Sequence, residues 1–434
     1  MSRWCGALEG FYGEPYSDHA RLALVSHLGS IGATDFAYAP KGDPFQRDRW
    51  REPYPADRLE HFRALLAGGA EVGVRISCVI SPGLDWRGGE DAGLLAAKLT
   101  AFYDLGVRSL GVAFDDVAPG GAELGKTHGA AVAAAVAALP GDTRWSACPV
   151  DYAAPRATGY LRAFVAELPG QVKLLWTGPS IVAPTISLAD LDRYTASLGI
   201  DPERVVLADN FPVNDGPMAG VLHLGPFPER AAELPGRLGG LLLNLMPGYP
   251  LASRVGLDAG VAWWQDPQAD RVAVWRKVIA ATPGIEPLAM ASRSWLTDPG
   301  PDQEIAGWDH DTLSAWLGAG CRDGLAEDWQ AELEPWLQAW EWEAFAMAFA
   351  MHAAAGASVD PGRRTEAAFG VGEAVRRLRA QTCQLFGIRY AVYPVTTLDG
   401  DRIVPDRAGV VSGQNLTDRI CAEALAVAFG EESS

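Results

Sequence analysis

Ser109-Leu-Gly-Val-Ala-Phe114-Asp115-Asp116 is the stretch that decides the fold. An apolar, partly β-branched run that stops at two acids, with Pro119-Gly120-Gly121 just beyond, reads as a buried strand surfacing into a loop. The same phrase recurs on both sides of it. From the N-terminus to about residue 285, short β-rich runs end in Gly, Pro, Asp or Asn and give way to amphipathic helical stretches. Strands are expected at residues 4–11, 34–39, 74–80, 109–114, 144–148, 172–176, 204–208 and 241–245. Helical patterns separate them, among others at 18–31, 56–70, 91–105, 122–139 and 188–198. Eight such alternations predict an α/β chain built on a (β/α)8 TIM barrel, since an open doubly wound sheet usually has fewer strands. No Gly-x-Gly-x-x-Gly turn follows the first strand, so a dinucleotide has no predicted seat.

Past Pro287 the texture changes. Residues 293–302 are linker-like, and 311–317, 325–351 and 363–386 read as helices rich in Trp, Ala and Leu. The expected organisation is a catalytic barrel over residues 1–290 and a smaller, mainly helical C-terminal domain over 300–434. Trp329, Trp336, Trp340 and Trp342 are expected to pack helices, because aromatics at helical spacing usually face a core. Residues 390–415 read as a loop-rich insertion. The helical part offers an apolar face with a polar rim, which suits a peptide aglycone, a second copy of the chain in a homodimer through this domain, or simple cover for the barrel surface.

Composition narrows the partners. With 434 residues, 48% hydrophobic content and a formal net charge of −18, the chain can bury a large core but has no cationic surplus with which to neutralise phosphates, so nucleic acid is not an expected partner. Cys5, Cys78, Cys148, Cys321, Cys383 and Cys421 are scattered singly, which predicts reduced thiols and a cytoplasmic location. Neither a signal peptide nor a membrane-spanning apolar stretch is read. No His, Cys, Asp or Glu spacing predicts a metal site, and no cofactor is expected.

The strand ends read Glu9-Gly10-Phe11-Tyr12-Gly13, Tyr38-Ala-Pro40-Lys41-Gly-Asp43, Ser81-Pro82-Gly83, Asp115-Asp116, Pro149-Val-Asp151-Tyr152, Trp176-Thr-Gly-Pro179, Asp209-Asn210 with Asn214-Asp215, and Asn244 followed by Pro247. In a barrel all of them converge on the carboxyl face, bringing acids, amides, one lysine and several aromatics into one cleft. Polar forks for hydroxyls and flat rings for an apolar face compose a sugar site. Two adjacent carboxylates repel when both are ionised, so one can carry a proton near neutrality while the other stays anionic. An isolated Asp-Asp pair would read as a cap and a solvated residue; the company of the other seven ends favours chemistry.

Gly6-Ala-Leu-Glu-Gly-Phe-Tyr-Gly-Glu-Pro-Tyr16, Tyr38-Ala-Pro-Lys-Gly-Asp43, Trp50-Arg-Glu-Pro-Tyr54, Phe114-Asp-Asp116, Trp176-Thr-Gly-Pro179, Asp209-Asn-Phe-Pro-Val-Asn-Asp215 and Leu224-Gly-Pro-Phe227 resemble, in this order, motifs of glycoside hydrolase family 84, the O-GlcNAcases and related bacterial β-N-acetylglucosaminidases. The resemblance covers nearly all of the first 285 residues. It implies a retaining hydrolysis of terminal β-linked N-acetylglucosamine in which the substrate's 2-acetamido oxygen is the nucleophile and an oxazoline forms, outside the two-carboxylate scheme in which the enzyme supplies the nucleophile. It implies that Asp115 orients the acetamido group, Asp116 is the general acid and base, and Tyr152 helps position the reacting centre. Asn210 would assist at the acetamido group; Gly10, Lys41, Asp215 and Asn244 match the hydroxyl-binding set. The implied partner is an N-acetylglucosaminyl substrate, on a glycopeptide or glycoprotein or on another glycan. A sugar-binding barrel without catalysis is the rival from another class. Two departures stand out: Ala208 where the family commonly carries Trp, and Leu245 where it carries Pro. Trp145 is the candidate ring to fill the space beside Ala208.

Overall fold

The computed structural model describes residues 3–292, 305, 307–378, 380–387, 390–392, 396–400, 402–405, 410–412 and 415–429. The linker-like residues 293–302 lie outside them. Eight parallel strands close into a barrel: β1 Trp4–Glu9, β2 Asp35–Tyr38, β3 Arg75–Ile80, β4 Ser109–Ala113, β5 Arg144–Cys148, β6 Val172–Trp176, β7 Val205–Asp209 and β8 Gly240–Asn244, with β8 pairing back onto β1. Helices α1 Asp18–Ser30, α2 Ala56–Val72, α3 Gly89–Leu105, α4 Ala122–Ala137, α5 Gly159–Glu167 and α6 Leu188–Leu198 follow the first six strands. Their ends are locally determined. Ser17 caps α1 through Ala20 N–H, Ser187 and Asp190 form a reciprocal capping box on α6, and α2 stops at Gly73, whose φ of 75° only glycine adopts without cost.

One apolar cluster draws Trp4, Ala37, Val79, Ala113, Cys148, Leu175, Val206, Ala208 and Leu242 from all eight strands, which makes it the barrel interior. Strand side chains alternate faces. Cys148 points inward, so Ser146 and Arg144 share its side while Trp145 and Ala147 face outward. The Arg144 guanidinium stands 4.7 Å from the centroid of the Trp4 ring and reaches Asp35, which also accepts from Arg75 at 2.8 Å and from the backbone N–H of Cys5. The amino end of the barrel is therefore closed by an ionic layer. Trp145 cannot fill the space beside Ala208, because it stands on the far side of its strand. Ala208 shares the interior cluster with the small residues Ala37, Ala39, Ala113, Cys148 and Ala153, and Leu8 and Ile181 pack against that cluster.

Contacts divide the chain into two interleaved units. The first holds Met1–Asp215, Pro228–Asp270 and Pro394–Gly409; the second holds Gly216–Phe227, Arg271–Tyr393 and Val410–Ser434. In the second, the helix Glu327–Val359 buries Trp336 and Trp340, one turn apart on one face, whereas Trp342 is turned out and 44% exposed. Residues 390–415 differ from the loop expected of them. Tyr390–Val392 pairs with Val410–Ser412 and Thr396–Asp399 with Arg402–Pro405, both antiparallel, the second pair turning at Gly400 with φ 60°. Alternating polar and branched residues around a glycine turn form hairpins without a long apolar run. Among the described residues no helix is long and apolar enough to cross a membrane.

Candidate active site

The ladder of the barrel runs on past the strand ends and fixes the loops that carry the polar groups. Phe114 N–H donates to Cys148 O, Lys41 N–H to Phe11 O and Thr177 N–H to Tyr152 O, at 2.8, 3.1 and 3.0 Å. Asp115 and Asp116 follow Phe114, whose buried ring is stacked on His128 at 3.8 Å between centroids. Asp116 has φ +55°, a left-handed conformation uncommon outside glycine. The kink parts two neighbouring carboxylates toward different partners.

Asp115 Oδ2 accepts from Lys41 Nζ at 2.5 Å, while its Oδ1 is buried without a hydrogen-bond partner. Asp116 Oδ1 accepts from the Tyr152 hydroxyl at 2.6 Å and its Oδ2 from the Tyr12 hydroxyl at 3.0 Å. Burial, and then the charge of Asp116, holds the Tyr152 phenol well above its usual pKa, and the same two causes raise Tyr12. Both hydroxyls therefore stay protonated donors. Asp215 Oδ2 accepts from Tyr12 N–H at 2.7 Å; burial, aided by Asp116, raises its carboxyl pKa above the ordinary range. A hydrogen-bonded chain completes the rim: Gly10 N–H donates to Asn244 Oδ1 at 3.1 Å, Asn244 Nδ2 to Asn210 Oδ1 at 3.0 Å, and Asn210 Nδ2 to Ile181 O at 2.8 Å. All eight residues singled out in the sequence thus fall into two linked sets, Lys41, Asp115, Asp116, Tyr152 and Asp215 in one, Gly10, Asn210 and Asn244 in the other.

Other acids at the strand ends are tied into the scaffold. Asp43 accepts from the Tyr38 and Tyr54 hydroxyls and is 1% exposed, steadying the loop of Lys41. Asp151 accepts from Thr158 Oγ1, the cap of α5, and Asp209 is held by the Arg230 fork at 2.8 and 3.0 Å. Two residues of the site escaped the sequence reading. Tyr12 stood inside a quoted motif as one more turn aromatic. Arg47, 5% exposed, reaches the backbone carbonyls of Asp115 and Asp116 at 3.4 and 3.3 Å from a turn with no period to mark it.

A barrel whose carboxyl face gathers an adjacent acid pair, tyrosines and amides has the make-up of a glycoside hydrolase. Residues 5–294 match the family model described as beta-N-acetylglucosaminidase, and the chain belongs to that family, glycoside hydrolase family 84. It is 29% identical over 256 residues to Protein O-GlcNAcase of Rattus norvegicus, and equally to that of Mus musculus, a match covering 55% of this chain and 28% of each relative. The match therefore spans under a third of the length of these curated relatives. In fold it is similar to a mutant of Thermobaculum terrenum O-GlcNAc hydrolase, with TM-score 0.81 and 21% identity over 99% of this chain and 97% of the other. It is likewise similar to CpGH84B, with TM-score 0.75 and 23% identity over 88% and 74%.

Proposed function

We propose that the protein is a retaining β-N-acetylglucosaminidase that removes terminal β-linked N-acetylglucosamine by substrate-assisted catalysis through an oxazoline. The observation that carries this reading is the separation of the acid pair: Asp116 is held by two phenols, and Asp115, paired with Lys41, keeps one buried oxygen without a hydrogen-bond partner. That oxygen is suited to accept the acetamido N–H, orienting the acetamido oxygen onto the anomeric carbon and increasing its negative character. As the new C–O bond forms, the glycosidic bond breaks and the departing oxygen takes a proton from Asp116. Water then adds to the anomeric carbon, gives its proton to Asp116, and the acetamide is restored. Tyr152 holds Asp116 and the reacting centre, Asn210 assists at the acetamido group, and Gly10, Lys41, Asp215 and Asn244 take the sugar hydroxyls. Buried polar forks of this kind reject sugars lacking the matching hydroxyl by orders of magnitude.

The names of the curated relatives support a glycoprotein or glycopeptide as the natural substrate. The six cysteines are scattered singly along the chain with no Cys-x-x-Cys spacing, and Cys5, Cys78, Cys148 and Cys321 are buried; this supports a reducing compartment, and we place the protein in the cytoplasm. The test is an aryl β-N-acetylglucosaminide against the matching β-glucoside, with the anomer of the first-formed product read by NMR. Cleavage of the first with retention and near-inertness of the second is expected. Comparable rates on both would refute assistance by the acetamido group, and binding without turnover would make the chain a sugar-binding barrel.

A further inference from the structure

The backbone at Asp116 is strained, and something must hold it. Left-handed backbone at a residue other than glycine costs of order 1–3 kcal/mol and persists only where surroundings over-determine it. Of the side chains at the acid pair, Arg47 is placed to do so. Its Nη1 donates to Asp115 O and its Nη2 to Asp116 O, so one planar fork grips the carbonyls on both sides of the kinked peptide. The same Nη1 lies 4.0 Å from Asp115 Oδ1, the oxygen without a hydrogen-bond partner. The fork is itself seated: Gln46, the preceding residue, donates through Nε2 to Ser81 Oγ at 2.7 Å and accepts through its backbone carbonyl from Ser81 N–H at 2.9 Å. On the open side the guanidinium carbon stands 5.8 Å from the centroid of the Tyr12 ring, whose hydroxyl holds Asp116.

We propose that Arg47 is a positioning residue for the acid pair: by gripping the two carbonyls it holds the left-handed turn that aims Asp115 at Lys41 and Asp116 at the two tyrosines. This rests on the hydrolytic reading of the site. Arg47 needs no contact with the sugar; its effect passes through the direction of both carboxylates. A lysine at this place would keep the charge but replace the planar fork with a point donor on a flexible stem, which cannot hold the two carbonyls at a fixed spacing and angle.

The experiment compares Arg47→Lys and Arg47→Met with wild type and with Asp115→Asn and Asp116→Asn on aryl β-N-acetylglucosaminides of good and poor leaving group. Arg49→Lys serves as control, since Arg49 lies on the same turn, exposed and paired with Glu52. A misplacement of about 1 Å costs on the order of 10²-fold in rate. Arg47→Lys is expected to lose about that much kcat with KM changed less than about threefold, and to lose it on good leaving groups as well as on poor ones, because Asp115 turns along with Asp116. Asp116→Asn is expected to fall mainly on poor leaving groups. The inference is overturned if Arg47→Lys keeps kcat within about threefold of wild type, if its loss lies in KM, or if kcat per folded molecule is intact and only the melting temperature falls. Should Arg47→Met fail to fold, Arg47→Lys decides alone. A wild type without turnover overturns the hydrolytic reading and this inference together, whereas an active wild type with equally active Arg47→Lys overturns this inference only.

Discussion

Gly42 is the point at which one methyl group should disarm the site without touching a charged residue. It lies between Lys41 and Asp43, and a Cβ there would meet Gly13 O at 2.2 Å and Pro15 Cδ at 2.9 Å, where ordinary contact begins near 3.4 Å. The first obstacle is backbone, so the loops after β1 and β2 must part by about 1 Å. One loop carries Tyr12, which holds Asp116 and Asp215; the other carries Lys41, which holds Asp115. Overpacking of this kind costs about 1–3 kcal/mol of stability. A displacement near 1 Å among reacting groups costs on the order of 10²-fold in rate. Gly42→Ala is therefore expected to lose about 10²-fold in kcat/KM on an aryl β-N-acetylglucosaminide and to melt a few degrees lower. Gly93→Ala is the control: it sits exposed inside α3 with nothing near its Cβ, and should gain about 0.5–1 kcal/mol from helix propensity with kcat/KM unchanged. Steady-state kinetics and thermal melts on the three proteins settle it. A Gly42→Ala enzyme with wild-type kcat/KM would refute the idea that the contact of these two loops sets the positions of Tyr12 and Lys41.

Ala208 belongs to a barrel interior rich in small residues, Ala37, Ala39, Ala113, Cys148 and Ala153, and N-butyryl substrates should be turned over here where a ring would exclude them; Ala208→Trp is expected to raise the N-acetyl over N-butyryl ratio of kcat/KM by about tenfold or more. An unchanged ratio would mean that the space is already closed, with Ile181 the side chain to suspect. His128 is 1% exposed, stacked on Phe114, and burial lowers its pKa from 6.5 to about 4. The folded state then binds fewer protons than the unfolded chain between these values, so stability should fall as pH drops through that window, by about 3 kcal/mol at full effect. His128→Gln should flatten this limb in chemical denaturation at pH 7 and pH 4.5, and an unaltered pH dependence would exclude the histidine as its source.

What the residues disclosed and what they hid follow from one physical rule each. β5, β6 and α6 have the bounds expected of them because each is a periodic run cut off by Pro, Gly or a capping serine. The site residues were legible because the carboxyl ends of parallel strands converge whatever their order in the chain. Trp145 departs from the expectation that a large apolar residue faces inward, because a buried carboxylate, Asp35, draws Arg144 and Arg75 into the barrel on the opposite side of the strands. Arg47 stayed hidden because its partners are backbone carbonyls, which carry no side-chain signature. The hairpins of residues 390–415 leave little trace in the sequence, since strands that short hold too few apolar residues to show an alternation.

The interleaving of the two units bears on how the molecule can be made. A segment between β7 and β8, Gly216–Phe227, groups with the helical unit, and Pro394–Gly409, near the far end of the chain, groups with the barrel. Domains commonly fold in the order of their synthesis, the N-terminal one first. Here the first unit's full set of contacts does not exist until the ribosome has passed residue 409, and the second unit's first piece emerges before the last barrel strand. No single cut releases either unit whole. All eight barrel strands are made by Asn244, but the contacts that Pro394–Gly409 brings to the first unit can form only near the end of synthesis, so that unit is completed by almost the last part of the chain to appear.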